Sequence, residues 1–402
     1  MTPVNNSTFA KTGIAFIAIL SALMAFTSLS TDIYLPAMPA MSISLHGDAA
    51  LTVTGFLIGF AIAQLIWGPI SDRFGRKPPL YIGMILFTIG SAGCALSTEM
   101  YQIVFWRVFQ AAGACTGPML ARAMIRDLFS RTRAAQMLST LIIVMAIAPI
   151  AGPLLGGQII RYLQWPVIFW FLAAVGVLMF IALFWLPETL PAEKRTGDSL
   201  GSAFTHYLHL LKNRSFMRFT LCVTFYYVAV YAFIVGSPSV YISGFGADPQ
   251  HYGWLFAVNI IGVVGMSFIN KRLVQRFPLE QMLKTAAAIA SIMALLMCIS
   301  LAIFPKNMLA MAACIFVFFS MNGVIAASAT AAALDAVPGT AGSASALIGA
   351  LQYGSGIISS LMLAALNDGT PWAMAGIMTI FTLLSGMMAF GRMRHQTLAG
   401  AE

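Results

Sequence analysis

Charge is what this sequence lacks. Of 402 residues only 9% are charged, and 13 in all are acidic, against about 25% charged residues in soluble globular chains. With 59% hydrophobic residues and a mean hydropathy of +0.87, that scarcity excludes an ordinary soluble domain and indicates an all-α membrane protein. Cysteine is sparse as well. Cys94, Cys115, Cys222, Cys298 and Cys314 all fall in apolar segments and none forms a CxxC pair, so neither a disulfide framework nor a metal site is indicated. The five histidines are scattered, without HExxH spacing, and no Gly-x-x-x-x-Gly-Lys-Ser/Thr loop is present to hold ATP. No nucleophile–base pair or metal cluster is visible, so an enzyme is not expected, nor a cofactor. A net charge of +9 would raise nucleic acid as a partner on a soluble chain. Here the charge sits in short loops between apolar runs and reports topology, so no nucleic acid is expected.

What is abundant is apolar length. A bilayer core of roughly 30 Å needs about 20 apolar residues per helix. Twelve such segments are read at about 12–40, 49–71, 78–97, 101–125, 133–160, 165–186, 216–242, 250–270, 281–304, 307–332, 340–366 and 371–391. The first is too long for a signal-peptide core and is expected to remain as a helix. Lys and Arg gather at alternate loops. Eighteen, from Lys11 and Arg73 through Arg392 and Arg394, share the side of the N-terminus, against Arg161 and Lys306 opposite. That bias sets both termini in the cytoplasm. The longest polar stretch divides the spans six and six, giving halves 1–187 and 216–402 around a linker, 188–215, that includes a short surface helix near His206 and His209. Arg76 and Pro78 after the second span find Arg276 and Pro278 after the eighth, a faint repeat expected of paired six-helix halves with a site between them.

Asp32, in the first span, and Arg107, in the fourth, are read as the two charges lying well inside spans. A charge in hydrocarbon costs roughly 2.5–3.5 kcal/mol even on lenient scales, so it is retained where it has a partner, becomes neutral or meets water. Counted from the span ends, the two sit at similar depth, at a rise of about 1.5 Å per residue. One reading is a proton-coupling carboxylate tuned by a nearby arginine; the other is a permanent ion pair that locks two helices. Gly68-Pro69-Ile70-Ser71-Asp72-Arg73-Phe74-Gly75-Arg76-Lys77-Pro78 is the most specific string, a tight turn in which one acid and three bases crowd a loop. It reads as a gating latch, or as a basic loop that only fixes topology and meets anionic lipid. Pro149, Gly152, Pro153, Gly156 and Gly157 allow close helix approach and bending, read as a hinge or as tight packing alone. Tyr34, Gln64, Gln110, Tyr227, Tyr231, Asn259 and Gln352 are the polar and aromatic groups expected to line a substrate cavity.

These strings resemble a known family. The loop string is similar to the G-x-x-[SD]-D-R-x-G-R-[KR]-P motif of the major facilitator superfamily. Arg107-Val108-Phe109-Gln110-Ala111-Ala112-Gly113 resembles the fourth-helix R-x-x-Q-G-x-x-A motif of its drug:proton antiporters, with alanine where glycine is preferred. Ala148-Pro149-Ile150-Ala151-Gly152-Pro153-Leu154-Leu155-Gly156-Gly157 resembles the fifth-helix antiporter motif G-x-x-x-G-P-x-x-G-G, with Ala148 at the first glycine. Asp32-Ile33-Tyr34-Leu35-Pro36-Ala37-Met38-Pro39, with Pro338-Gly339-Thr340-Ala341-Gly342-Ser343-Ala344-Ser345-Ala346-Leu347, looks like the Bcr/CflA drug-resistance exporters. The resemblance implies twelve helices in two pseudo-symmetric six-helix bundles and alternating access. It also implies export of bicyclomycin-, chloramphenicol- or sulfonamide-like compounds against inward protons, across the bacterial inner membrane, by a monomer. In that family the positions of Asp32 and Arg107 are associated with proton coupling and substrate binding. A dedicated exporter of one metabolite, such as an amino acid or nucleoside, is the alternative. A non-transporting sensor would need a signalling domain that the sequence does not show.

Overall fold

The computed structural model describes residues 14–129, 131–195, 200–337, 341–366 and 370–391, and among these it is helical throughout, with no strand. Backbone groups in lipid have no water to bond, so long apolar runs close their own ladders as helices. Helix α1 (Ile14–Asp32), a 3-10 turn (Leu35–Ala37) and α2 (Met38–Ser44) form the first rod. Then come α3 (Ala50–Phe74), α4 (Lys77–Leu96), the pair α5 (Met100–Ala114) and α6 (Thr116–Leu128), α7 (Arg131–Tyr162) and α8 (Pro166–Ala182). The linker carries α9 (Leu200–Lys212). The second set is α10 (Arg214–Pro238) with a π turn (Ser239–Gly244), α11 (Pro249–Leu273), α12 (Leu279–Ile303), the pair α13 (Met308–Ser320) and α14 (Asn322–Asp335), α15 (Ala341–Leu366) and α16 (Trp372–Phe390). Counting each pair as one rod gives twelve among the described residues. Ten carry a window apolar enough to span a bilayer, and the α5–α6 pair and α7 complete the set.

Rods one to six pack together, as do seven to twelve, into two bundles. Their pseudo-symmetry is legible in the irregularities, because the broken rods are the first and fourth of each bundle. Two breaks have a proline as cause. A proline removes its own N–H and its ring crowds the carbonyl four residues back. Pro36 so displaces the carbonyl of Asp32, and α1 ends at that residue, 12 residues before the rod does at Ser44. Pro118 frees the carbonyl of Ala114, which instead accepts the Thr27 hydroxyl at 3.3 Å. In the tenth rod the Tyr226 hydroxyl donates to the Phe318 carbonyl at 2.8 Å, entering the ladder beside Met321. Broken helices near the interface between repeats are places where a membrane bundle can form a binding site.

The bundles meet along α3 with α15 and α7 with α11. On α3 the contact is one stripe. The Ala50 carbonyl and Thr54 hydroxyl bond Ser360, Leu57 packs on Gly356, Ala61 on Gly354, and Gln64 on Gly349. The next residue of the stripe is Gly68, where a Cβ would meet nothing within 4 Å. On the other seam, Gly157 lies against Pro249 and Gly253 against Leu154. The bundles are thus sealed at the end bearing Asp48 and Trp165, the sealed end, and part company toward the end bearing Arg76, the basic end. There α9 buries Tyr207 and Leu210 against the ends of α3, α10 and α15. Arg276 and Pro278 occupy the turn before α12 as Arg76 does before α4, but Arg276 is exposed where Arg76 is buried.

Candidate functional site

Asp32 lies inside the first rod at the point where Pro36 stops regular helix. The residue is 6% exposed and one carboxylate oxygen accepts the Thr31 hydroxyl at 2.9 Å. The glycine face of α7 presses on it. A Cβ at Gly152 would stand 3.3 Å from the Asp32 Cβ, and one at Gly156 would overlap the Ile33 carbonyl. Across the bundle interface, Asp32 is within electrostatic reach of the hydroxyls of Tyr231, Tyr252 and Tyr353. The coupling candidate therefore touches α7 of its own bundle and lies within electrostatic reach of tyrosines of the other.

Arg107 is fully buried, and no carboxylate among the described residues lies within ion-pairing distance of it. The permanent ion pair with Asp32 is therefore not formed, although Asp32 lies within its electrostatic reach. Instead Nη1 donates to the Ser30 carbonyl at 3.0 Å, exposed by the break in α1, and to the Gln110 amide oxygen. Nε reaches the Thr52 carbonyl at 3.4 Å, and Nη2 has no partner. The guanidinium is sandwiched between Tyr34 and Phe56, 4.5 and 4.4 Å from the ring centres. Cation–π contact of this kind offsets desolvation by about 2 kcal/mol where water is excluded.

Sequence reasoning grouped Tyr34 and Gln110 with the cavity, but both are fully buried within the first bundle and hold Arg107. Tyr34 bonds Thr52 at 3.0 Å and Gln110 bonds Ser91 at 2.7 Å. The remaining cavity candidates do gather near the interface, except Asn259, whose amide turns back to the Leu255 carbonyl on its own helix. Tyr227 faces Gln352 and Asn322. Aromatic rings run from Phe60 of α3 to Tyr353 at 4.0 Å, then to Tyr231 at 6.5 Å and Tyr227 at 6.3 Å. Gln64 lies at this row's edge with its oxygen buried and unbonded. Two members were missed. Tyr353 carries no signal distinguishing it from a lipid-facing tyrosine. Arg122, on α6, lies within the expected fourth span but only three residues short of its end at 125, so it was counted neither with the loop charges nor with those well inside spans; the helix runs to Leu128.

At the basic end, Arg76 is the hub of the loop string. Its Nε donates to Asp127 at 2.8 Å and Nη1 to Asp72 and to the Ser71 hydroxyl. Burial favours neutral Arg76, but Asp127 and Asp72 outweigh it and raise the pKa. Glu188, after the sixth rod, accepts the backbone N–H of Arg76 at 2.9 Å and of Lys77 at 3.0 Å. Partial burial pushes this carboxyl up, yet bonds from Leu190, Arg76, Lys77 and Thr189 hold it below the ordinary glutamate value. Gly75 turns at φ +99, where a side chain would be strained and would also strike Glu188. Asp127 and Glu188 were not legible as members of the loop site. Lys77 and Arg73 stack on Tyr81 and Phe74, each 5.6 Å from the ring centre. Pro338, Gly339 and Thr340 of the string before α15 lie outside the described residues.

Comparison with known proteins agrees with this architecture. The family profile described as Major Facilitator Superfamily matches residues 20–360. An uncharacterized MFS-type transporter of Bacillus subtilis, YdgK, is 33% identical over 387 residues, 95% of this chain and 96% of that protein. A bicyclomycin resistance protein homolog of Haemophilus influenzae is 30% identical over 367 residues, covering 90% and 91%. Among solved structures, the nucleoside transporter NupG superposes with a TM-score of 0.75 at 14% identity, over 93% of this chain and 97% of that one, a likeness of fold alone.

Proposed function

Since the chain belongs to the major facilitator superfamily, and so is a multi-pass membrane transporter and not an enzyme, we propose that it exports small organic compounds in exchange for protons. The relatives named for bicyclomycin, multidrug and chloramphenicol resistance support antibiotic-like cargo, and sulfonamide-like compounds enter the proposal through the resemblance to drug-resistance exporters. The observation that carries the proposal is the position of Asp32. It ends α1 beneath the Gly152–Gly156 face of α7, and the same helix at Leu154 and Gly157 seals against α11 of the other bundle. An ionised carboxylate is tolerated while water reaches it; closure that strips the water favours the neutral acid. Proton binding at Asp32 thus acts on the α1–α7 contact and, through α7, on the seal.

On this reading the basic end is cytoplasmic, both termini are inside, and the protein is a monomer in the bacterial inner membrane. The seam of α3 with α15 is the closed outer gate, and cargo enters from the cytoplasm toward Tyr227, Tyr231, Gln64 and Gln352. Gly68, Asp72, Arg73, Gly75, Arg76 and Lys77 latch the inner gate, and the segment from Pro149 to Gly157 hinges the outer one. Arg107 braces the opened backbone at Ser30 and sets the field at Asp32 without neutralising it.

The test uses everted vesicles holding an acid-inside gradient and a fluorescent pH probe. Chloramphenicol-like, bicyclomycin-like and sulfonamide compounds, cationic dyes, amino acids and nucleosides are added in turn. Dissipation by drug-like members, lost in Asp32→Asn, is expected. Response to a single metabolite would replace multidrug export with a narrow exporter, and an unchanged response in Asp32→Asn would remove Asp32 from coupling.

A further inference from the structure

Arg122 is a third charge inside the spans, and its surroundings differ from those of Arg107. It sits on α6 six residues before Leu128, about 9 Å inside the helix end and about 22 Å along the rod from Arg107. Its helix neighbours Leu120, Ala121, Ala123 and Met124 are buried against the first bundle, while Arg122 itself is exposed. Its Nε donates to the Pro118 carbonyl one turn back at 2.9 Å. No carboxylate among the described residues pairs with it. Across the interface it is within electrostatic reach of the Tyr353 hydroxyl on α15, the ring that stacks on Phe60. A cation inside a span, exposed and without an acid among the described residues, is costly unless a mobile anion completes it.

We propose that Arg122 is the anion-binding end of the substrate cavity, and that the preferred cargo is an amphipathic organic anion, its carboxylate or sulfonate on Arg122 and its apolar body along the Tyr353–Tyr231–Tyr227 row. The guanidinium offers a planar fork for two parallel hydrogen bonds to such a group. The charge order gives direction. An anion entering from the basic end meets Arg122 first, and the carboxylate of Asp32, nearer the sealed end, repels it until protonated. Lipophilic cations are disfavoured at the entrance by the same residue. This inference rests on the transporter reading and specifies its cargo.

The experiment is equilibrium binding to the purified full chain in phosphatidylcholine nanodiscs, without a proton gradient. The probes are 7-diethylaminocoumarin-3-carboxylate and its methyl ester, which differ in charge and hardly in shape. Wild type is expected to prefer the acid by about tenfold, the scale of one charge-assisted pair. Arg122→Gln is expected to reduce that preference to near one, and Arg122→Lys to keep part of it. The ratio of acid to ester within each variant guards against a folding defect, which would weaken both probes. Equal binding of acid and ester by wild type, weak or strong, overturns the proposal, as does a preference that survives in Arg122→Gln. A second arm adds phosphatidylglycerol; loss of the acid preference there assigns the site to a lipid headgroup and overturns a substrate role. Because no gradient is used, loss of antiport in the vesicle test leaves this result standing, and the two readings fail separately.

Discussion

At the scale of single residues, the site is governed by which groups are denied a partner. Arg107 is surrounded by backbone carbonyls and rings and pairs with no carboxylate among the described residues, while the Asp32 carboxylate accepts the Thr31 hydroxyl. Glycines decide how close α7 comes to this acid. A Cβ at Gly156 would overlap the Ile33 carbonyl, which is backbone and cannot swing away. Gly156→Ala is therefore expected to push α7 off α1, costing about 1–3 kcal/mol as overpacking does and abolishing drug-driven proton flux. Gly265→Ala is the contrast, since a Cβ there meets nothing within 4 Å. Its midpoint is expected to be unchanged or slightly higher, because glycine is the poorer helix former by about 1 kcal/mol. Thermal unfolding of both variants in detergent decides it; equal losses would mean that the α1–α7 contact is not the tight point.

At the scale of elements, the turn between α3 and α4 is held by the end of the sixth rod. Glu188 is the clasp, and its depressed pKa gives the sign. The folded carboxyl sits below the ordinary glutamate value of 4.5, so its contribution is fully present above that value and is lost as pH falls through the folded pKa. Between pH of about 5 and about 3, wild type is expected to lose more thermal stability than Glu188→Gln, whose clasp does not titrate. Parallel pH curves for the two would show that the four backbone bonds do no stabilising there. The residue is partly exposed, so a small difference is expected and the slope is the readout. Elements were the most legible level in the sequence. Apolar length placed the rods, the Phe304–Asn307 break separates α12 from α13, and the linker helix lies where His206 and His209 suggested. Contacts distant in sequence were not legible. Pro36 sits beside Asp32 in plain view, but that the Ser30 carbonyl at the end of α1 is taken by Arg107 depends on α5 lying alongside. Asp127 and Glu188 reach Arg76 from 51 and 112 residues away, and no local pattern encodes such a meeting. Tyr34 and Gln110 have the chemistry of cavity residues, and only packing turns them inward.

At the scale of the whole molecule, the proposed alternating access would require the seam of α3 with α15 to open and reclose in every cycle. That seam is dense at the sealed end, where Thr54 and Ser360 bond hydroxyl to hydroxyl and Ser360 also holds the Ala50 carbonyl. It is also polar, and a bond between two hydroxyls is worth only about 0.5–1.5 kcal/mol net, small enough to break at each turnover. The same closeness makes it a place to fix the state. In a background with the five cysteines replaced, Thr54→Cys with Ser360→Cys brings two thiols near the roughly 2 Å sulfur separation of a disulfide. Oxidation is expected to hold the sealed end shut. Binding of a drug-like probe from the basic end should persist, because the bundles already part there, while proton flux driven by that probe should fall to background and return on reduction. The two readouts separate a locked gate from a damaged protein, since misfolding removes binding as well as flux. Undiminished flux through the oxidised pair would mean that the sealed end does not open during transport, and the cycle would then have to run through some other passage than the interface between the bundles.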